Sequence, residues 1–151
     1  MRIHIGSDHA GLELKAELVK HLTSNGHDVT DHGPHEYDAL DDYPDFCIPA
    51  AEAVAKDPTS LGIVLGGSGN GEQMAANKVV GVRAALVWSI ETAKLAREHN
   101  NANVISIGGR MHDEKFCLEL VDTFLATAFT GDERHVRRIN QIAKFESDGK
   151  I

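Results

Sequence analysis

The sequence predicts an α/β fold: a parallel sheet with helices on both faces. Two patterns and one bulk property predict it. Short apolar, β-branched runs alternate with segments of helical period. Their order is β-α-β-α-β-α-β-α-β-α-α, the arrangement of crossover connections rather than hairpins. The 151 residues, 42% hydrophobic and 25% charged, suit one globular domain that buries its own core.

Each element has a local reason. Arg2 to Gly6 is a β-branched run that ends in the turn "GSDHAG". Leu14, Leu18, Val19 and Leu22 give residues 12–25 a helical period, which Asn25-Gly26 stops. Residues 28–31 form a weaker strand, and "DHGPHEYDALDDYP" is a long polar loop punctuated by Gly33 and Pro34. Residues 44–56 read as a helix, 61–65 as a strand and 72–78 as a short helix rich in Ala and Met. Residues 83–88 are a strand, and 89–99 a helix for which Ser89 is a suitable N-cap. "NVISI" (103–107) is the fifth strand, followed by an apolar helix over 113–128. A final amphipathic helix spans 132–146, with Val136, Ile139, Ile142 and Ala143 on one face. No linker, repeat or low-complexity stretch divides residues 1–151, so the expectation is a single domain.

Lys and Arg total 15 against 23 Asp and Glu, a net charge of −8 that disfavours nucleic acid as a partner. A small anion needs only a few local cations and stays open. No apolar run reaches the ~18 residues of a membrane span, and "MRIHIGSDHAG" enters a strand at once, without signal-peptide character. The expected setting is cytoplasmic, with no membrane partner. Cys47 and Cys117 lack C-x-x-C spacing and read as buried free thiols.

In open α/β sheets, ligands bind beyond the carboxyl ends of the strands. The segments there are "SDHAG", "GGSGNGE", the turn after Val87 and "GGRMH". The loop Gly66–Gly71 lies between a strand and a helix. Its glycines let backbone N–H groups converge on one point, which suits a phosphate or a transient oxyanion. Neither standard phosphate pattern fits. Gly66 and Gly71 have Walker spacing, but Glu72 and Gln73 replace the Lys and the hydroxyl residue. The dinucleotide fingerprint lacks its third glycine in either register.

Glu72 reads either as an acid at a helix start, where its charged form is favoured, or as a base beside the oxyanion site. Asp8 and His9 stand at the tip of the first strand, as a turn cap or as acid, base and phosphate donor. His99 ends a helix, as a surface cap or a proton donor. Arg134 and Arg138 share a helix face and, with Arg110, suit an anion; ion pairing with nearby acids is the plainer reading. His32 and His35 lie among carboxylates without a recognised ligand spacing, so no metal is expected. Tyr43 lines a pocket or packs at a helix start, and Trp88 belongs to core or interface.

Five stretches, in order, resemble the type B ribose-5-phosphate isomerase family, which also holds the galactose-6-phosphate and allose-6-phosphate isomerases. They are "GSDHAG", "DDYPDFC", "GIVLGGSGNGEQMAANKVVGVRAAL", "AREHNNANVISIGGRM" and "RHVRRI". The resemblance runs from residue 2 to about 146. It implies a three-layer α/β/α sandwich around a five-stranded parallel sheet, a Rossmann-like fold. It also implies a homodimer or homotetramer with active sites at a subunit interface, working without metal or organic cofactor. The implied reaction interconverts D-ribose 5-phosphate and D-ribulose 5-phosphate through a cis-enediolate, a step of the pentose phosphate pathway. A six-carbon sugar phosphate such as allose 6-phosphate, or a non-catalytic sugar-phosphate-binding module, is the alternative.

One branch of the family has a catalytic cysteine where this chain has Gly66. The chain is more similar to the actinobacterial-like branch, in which the glutamate after the last glycine is the base, here Glu72. By resemblance His99 opens the sugar ring and Asp8 assists. The backbone of Gly67, Ser68, Gly69, Asn70 and Gly71 holds the enediolate oxygens, and Ser68 helps relay protons. Asn100 binds the sugar. His9, Arg110, Arg134 and Arg138 bind the phosphate, some of them from a neighbouring subunit.

Overall fold

In the computed structural model, which describes residues 1–151, five strands form one parallel sheet of order β2-β1-β3-β5-β4. The strands are β1 (Arg2–Gly6), β2 (Asp28–Asp31), β3 (Leu61–Gly66), β4 (Ala84–Leu86) and β5 (Val104–Gly108). The helices are α1 (Leu12–Ser24), α2 (Pro44–Lys56), α3 (Asn70–Ala76), α4 (Ile90–Asn100), α5 (Glu114–Ala126) and α6 (Glu133–Asp148). The expected α/β/α sandwich is therefore present.

The strand period of two divides the core between the faces. Ile3, Ile5, Ile63, Leu65, Ile105 and Ile107 point to the side of α1, α4 and α5, where Leu18, Leu22, Leu120 and Phe124 meet them. Val64 and Val104 point to the other side, under Cys47, Ala51 and Val54 of α2. β3 and β5 are buried at every residue, as expected of central parallel strands.

Three boundaries differ from the sequence reading, each for a local reason. Helix α3 begins at Asn70, because Gly69 has φ +80° and turns the chain into the helix two residues early. β4 shrinks to three residues at the sheet edge, and Trp88 beyond it is 60% exposed. Helix α6 is amphipathic as expected, but it buries only His135, leaving Ile142 57% exposed.

The two ends of the sheet carry different candidate residues. The carboxyl ends of β1, β3 and β5 carry Asp8, the glycine loop and Arg110. At the amino end, Gly62 donates to the Asn103 carbonyl, and Arg83 donates to the carbonyls of Asn100 and Asn101. Helix α4 runs from one end to the other, so its C-terminal residues lie at the amino end.

Candidate active site

The glycine loop is fixed to the tip of β5. Gly109 N–H donates to the Gly66 carbonyl at 2.8 Å, and Arg110 N–H to that of Gly67 at 3.2 Å. The buried Ser106 hydroxyl donates to the Gly69 carbonyl at 2.7 Å. A Cβ on Gly71 would sit 2.6 Å from the Tyr43 ring, so Tyr43 walls the loop from α2. Tyr43 thus packs against both the loop and the core on the α2 side. Ser68 Oγ accepts from Asn70 N–H at 3.3 Å and lies exposed at the loop tip.

Glu72 is turned inward from the first turn of α3 and is only 4% exposed. Its carboxylate fills the space that a side chain on Gly66 would need. A Cβ there would lie 1.8 Å from Oε1 and 2.2 Å from Cδ. A side chain at position 66 and this placement of Glu72 are therefore mutually exclusive. Glu72 Oε2 is enclosed and has no protein partner. Burial pushes the Glu72 carboxyl above its ordinary value, and the negative charge of Asp8 adds to the rise; a bond to the residue's own backbone opposes it. The helix start favours the charged form, but desolvation outweighs that influence and the net shift is upward. A carboxylate with few hydrogen bonds and a raised pKa is a stronger base than an exposed one.

Asp8 does cap the turn that follows β1. Its Oδ1 accepts from the N–H groups of Ala10 and Gly11 at 2.9 and 3.3 Å. His9 stands beside it, with Nδ1 2.6 Å from Asp41 Oδ1. A cleft of about 570 Å³ runs between His9 and Arg110, past Leu14 and Glu114. Arg110 also reaches the loop, with its Nη1 3.7 Å from the Cβ position of Gly67. Asp8, His9, Arg110, Ser68, the loop and Glu72 thus gather at the carboxyl ends of the strands.

His99, Asn100, Arg134 and Arg138 do not join them. Asn101 ends α4 in the left-handed conformation, with φ 43°. His99, two residues earlier, stacks on His135 of α6, with ring centroids 4.3 Å apart and planes 16° from parallel. That stack brings the start of α6, and so Arg134 and Arg138, beside the end of α4. Strand register pairs Gly62 with Val104 at that end and Gly66 with Gly108 at the loop end. The four-residue offset is roughly 13 Å of strand. Within one chain Arg110 thus lies apart from Arg134 and Arg138, so a single anion site holding all three needs more than one subunit, as the resemblance implies. Arg110 lies in the turn after β5, at the carboxyl end of the sheet, whereas α6 meets the C-terminal end of α4 through the His99–His135 stack. His135, held by this stack and 5% exposed, was not singled out by spacing.

The thiols are spectators. Burial, followed by the charges of Glu72 and Asp8, drives Cys47 far above the thiolate range. Burial pushes Cys117 up to about 11. His35 Nδ1 lies 3.8 Å from Asp31 Oδ2. His32 instead contacts His4, with Nε2 3.0 Å from Nδ1. No helix is long and apolar enough to cross a membrane.

A family model described as Ribose/Galactose Isomerase matches residues 3–142. Ribose-5-phosphate isomerase B of Mycobacterium leprae is 58% identical over 146 residues, covering 97% of this chain and 90% of that protein. The crystal structure of ribose-5-phosphate isomerase B from Mycoplasma genitalium with bound ribulose-5-phosphate superposes with TM-score 0.94 at 47% identity, over 97% of both chains. The Clostridium thermocellum ribose-5-phosphate isomerase B structure gives TM-score 0.94 at 41% identity, over 99% of this chain and 100% of that one.

Proposed function

The chain belongs to the ribose/galactose isomerase family and interconverts ribose 5-phosphate and ribulose 5-phosphate, and on that premise we propose that Glu72 is the proton-transfer base of a site shared between two subunits. The observation that carries the assignment is the enclosed, unpartnered Glu72 carboxylate beside the glycine loop.

The sugar phosphate binds with its phosphate on His9 and Arg110 of one subunit and on Arg134 and Arg138 of the partner subunit. His99 of the partner subunit donates a proton to the ring oxygen, and Asp8 assists as the ring opens. Asn100 of the partner subunit holds sugar hydroxyl groups. Glu72 takes the C2 proton and returns it to C1. Between the two transfers, backbone N–H groups of Gly67–Gly71 stabilise the enediolate oxygens, and Ser68 relays a proton between O1 and O2. Donors of this kind are worth about 3–4 kcal/mol each.

The shared site is supported by the separation of the two residue groups at opposite ends of the sheet. A two-fold dimer places one end of each subunit against the other end of its partner. Exposed Val136, Ile142 and Phe145 on α6 offer apolar surface for that contact. Proteins E72Q and H99N, each inactive alone, are mixed and allowed to exchange subunits. About half the dimers are then mixed and each has one intact site, restoring about a quarter of wild-type activity. A mixture that exchanges subunits but stays inactive would refute the shared site.

A further inference from the structure

We propose that Asp41 is a positioning residue for His9, delivered by the polar loop 32–43 to fix the imidazole so that Nε2 faces the substrate phosphate. This rests on the reading of His9 as a phosphate ligand. Asp41 Oδ1 accepts twice from the same residue, from His9 N–H at 3.0 Å and from Nδ1 at 2.6 Å. Its side chain is 8% exposed, against 22% for His9, so the carboxylate lies behind the ring and the ring edge faces out. Asp41 Oδ2 is enclosed and has no protein partner. An incompletely bonded buried carboxylate is costly unless its interaction with a cation offsets the burial.

The loop that presents Asp41 is ordered by its own hydrogen bonds. Gly33 accepts from Ser7 N–H at 3.0 Å and donates to Asp31 Oδ1 at 2.8 Å. Asp38 accepts from the N–H groups of Asp41 and Leu40 at 3.1 and 2.9 Å. Tyr37 meets the His9 ring edge-on, at 5.9 Å between centroids. His9 is thus held on its Nδ1 side by the carboxylate and on a further side by an aromatic ring.

The consequence is directional. With Nδ1–H committed to Asp41, only Nε2 is available to a ligand. Binding a phosphate oxygen at Nε2 takes up one proton, from the phosphate monoanion or from solvent, so that the ring donates at both ends and the Asp41 carboxylate balances its charge. Donors of Asp8, His9 and Asp41 lie within 4.8 Å of one another, a grouping that also invites a metal. The 2.6 Å separation argues for a shared proton instead. Ligands at ~2.0–2.1 Å around tetrahedral zinc sit about 3.3 Å apart.

The test is a double-mutant cycle on the intact enzyme. Asp41→Asn keeps the shape and removes the charge. His9→Asn keeps a donor for Asp41 and removes Nε2. Asp41→Ser is the second variant should Asp41→Asn fold poorly. Asp41→Asn is expected to raise KM about tenfold with kcat within about twofold. In the His9→Asn background the same change adds less than about twofold. Nitrogen-15 NMR of His9 in the wild type shows a protonated Nδ1, and its shift moves in Asp41→Asn. A KM increase that is equal in both backgrounds, a kcat loss without a KM change, or unchanged His9 resonances would overturn the proposal. If His9→Asn leaves KM unchanged, the phosphate-ligand reading falls with it. If His9→Asn raises KM while Asp41→Asn does not, the role of Asp41 falls alone.

Discussion

Replacing Gly66 by alanine adds one methyl group where Glu72 now lies. The Cβ would fall 1.8 Å from Oε1, whereas ordinary contact begins near 3.4 Å, so the carboxylate must retreat by about 1.6 Å. Gly66 is not among the glycines with positive φ, so alanine suits the backbone and the clash acts on Glu72. A misplacement of about 1 Å in a catalytic group costs on the order of 100-fold in rate. Gly66→Ala should therefore lower kcat by at least about 100-fold. KM should change little, because the proposed phosphate contacts lie elsewhere. The assay is steady-state formation of ribulose 5-phosphate, with thermal melting to show that the fold persists. Glu72→Asp withdraws the carboxyl by roughly one C–C bond, about 1.5 Å. In the Gly66→Ala background that withdrawal makes room for the methyl group, so the double variant should exceed Gly66→Ala in kcat. Gly66→Ala with kcat within about threefold of wild type would refute the argument that position 66 must be empty for Glu72 to act.

Four further outcomes follow from the same geometry. Glu72→Gln should lose about 10²–10⁴-fold in kcat yet melt higher than wild type at pH 7. The raised folded-state pKa of Glu72 means that its charge destabilises the fold as pH rises through the window above the ordinary 4.5; the difference in Tm should vanish below that value. The acid limb of kcat/KM should lie above pH 4.5, because Glu72 must be ionised to accept the proton. It should move down in Asp8→Asn, which removes a charge that raises Glu72. Ser106→Ala deletes the 2.7 Å bond to the Gly69 carbonyl, and urea unfolding should show a loss of about 1 kcal/mol together with a fall in kcat as the loop loosens. Ser89→Ala breaks the capping box of α4, and the same measurement should show a loss of about 1 kcal/mol.

Features legible in the sequence are those set by neighbours along the chain. β3 and β5 declare themselves as apolar runs, and Ser89 declares the start of α4 through Thr92 three residues on. The glycine loop and Glu72 are contiguous, so their meeting was readable. Contacts made across the sheet were not. Asp41 lies 32 residues from His9, and Ser106 lies 37 from the Gly69 carbonyl. Loop 32–43 is acidic and polar, which is also the composition of a solvated surface, so composition alone could not reveal that Asp41 is enclosed. α6 shows the converse. Its periodicity was correct, but periodicity gives the apolar face and not what covers it, and this chain covers little of it. The stack of His99 on His135 was similarly hidden, since it depends on where α6 docks.

The proposed division of the site between the two ends of the sheet has an electrostatic consequence. An arginine beside Glu72 would lower its pKa by favouring the carboxylate, and a lower pKa makes a weaker base. No ion pair reaches Glu72; the charge that acts on it is that of Asp8, in the opposite sense. The phosphate still needs cations, and a chain of net charge −8 must concentrate them locally. Placing Arg134, Arg137 and Arg138 on α6, behind the full length of α4, keeps three guanidinium groups away from the carboxylate of their own chain. In the proposed shared site, assembly would bring a partner's arginines to the phosphate end of the substrate, a sugar's length from C2. Base strength and phosphate affinity make opposite demands on nearby positive charge. Two ends of one sheet, meeting across the proposed interface, would meet both demands without adding those three cations beside Glu72.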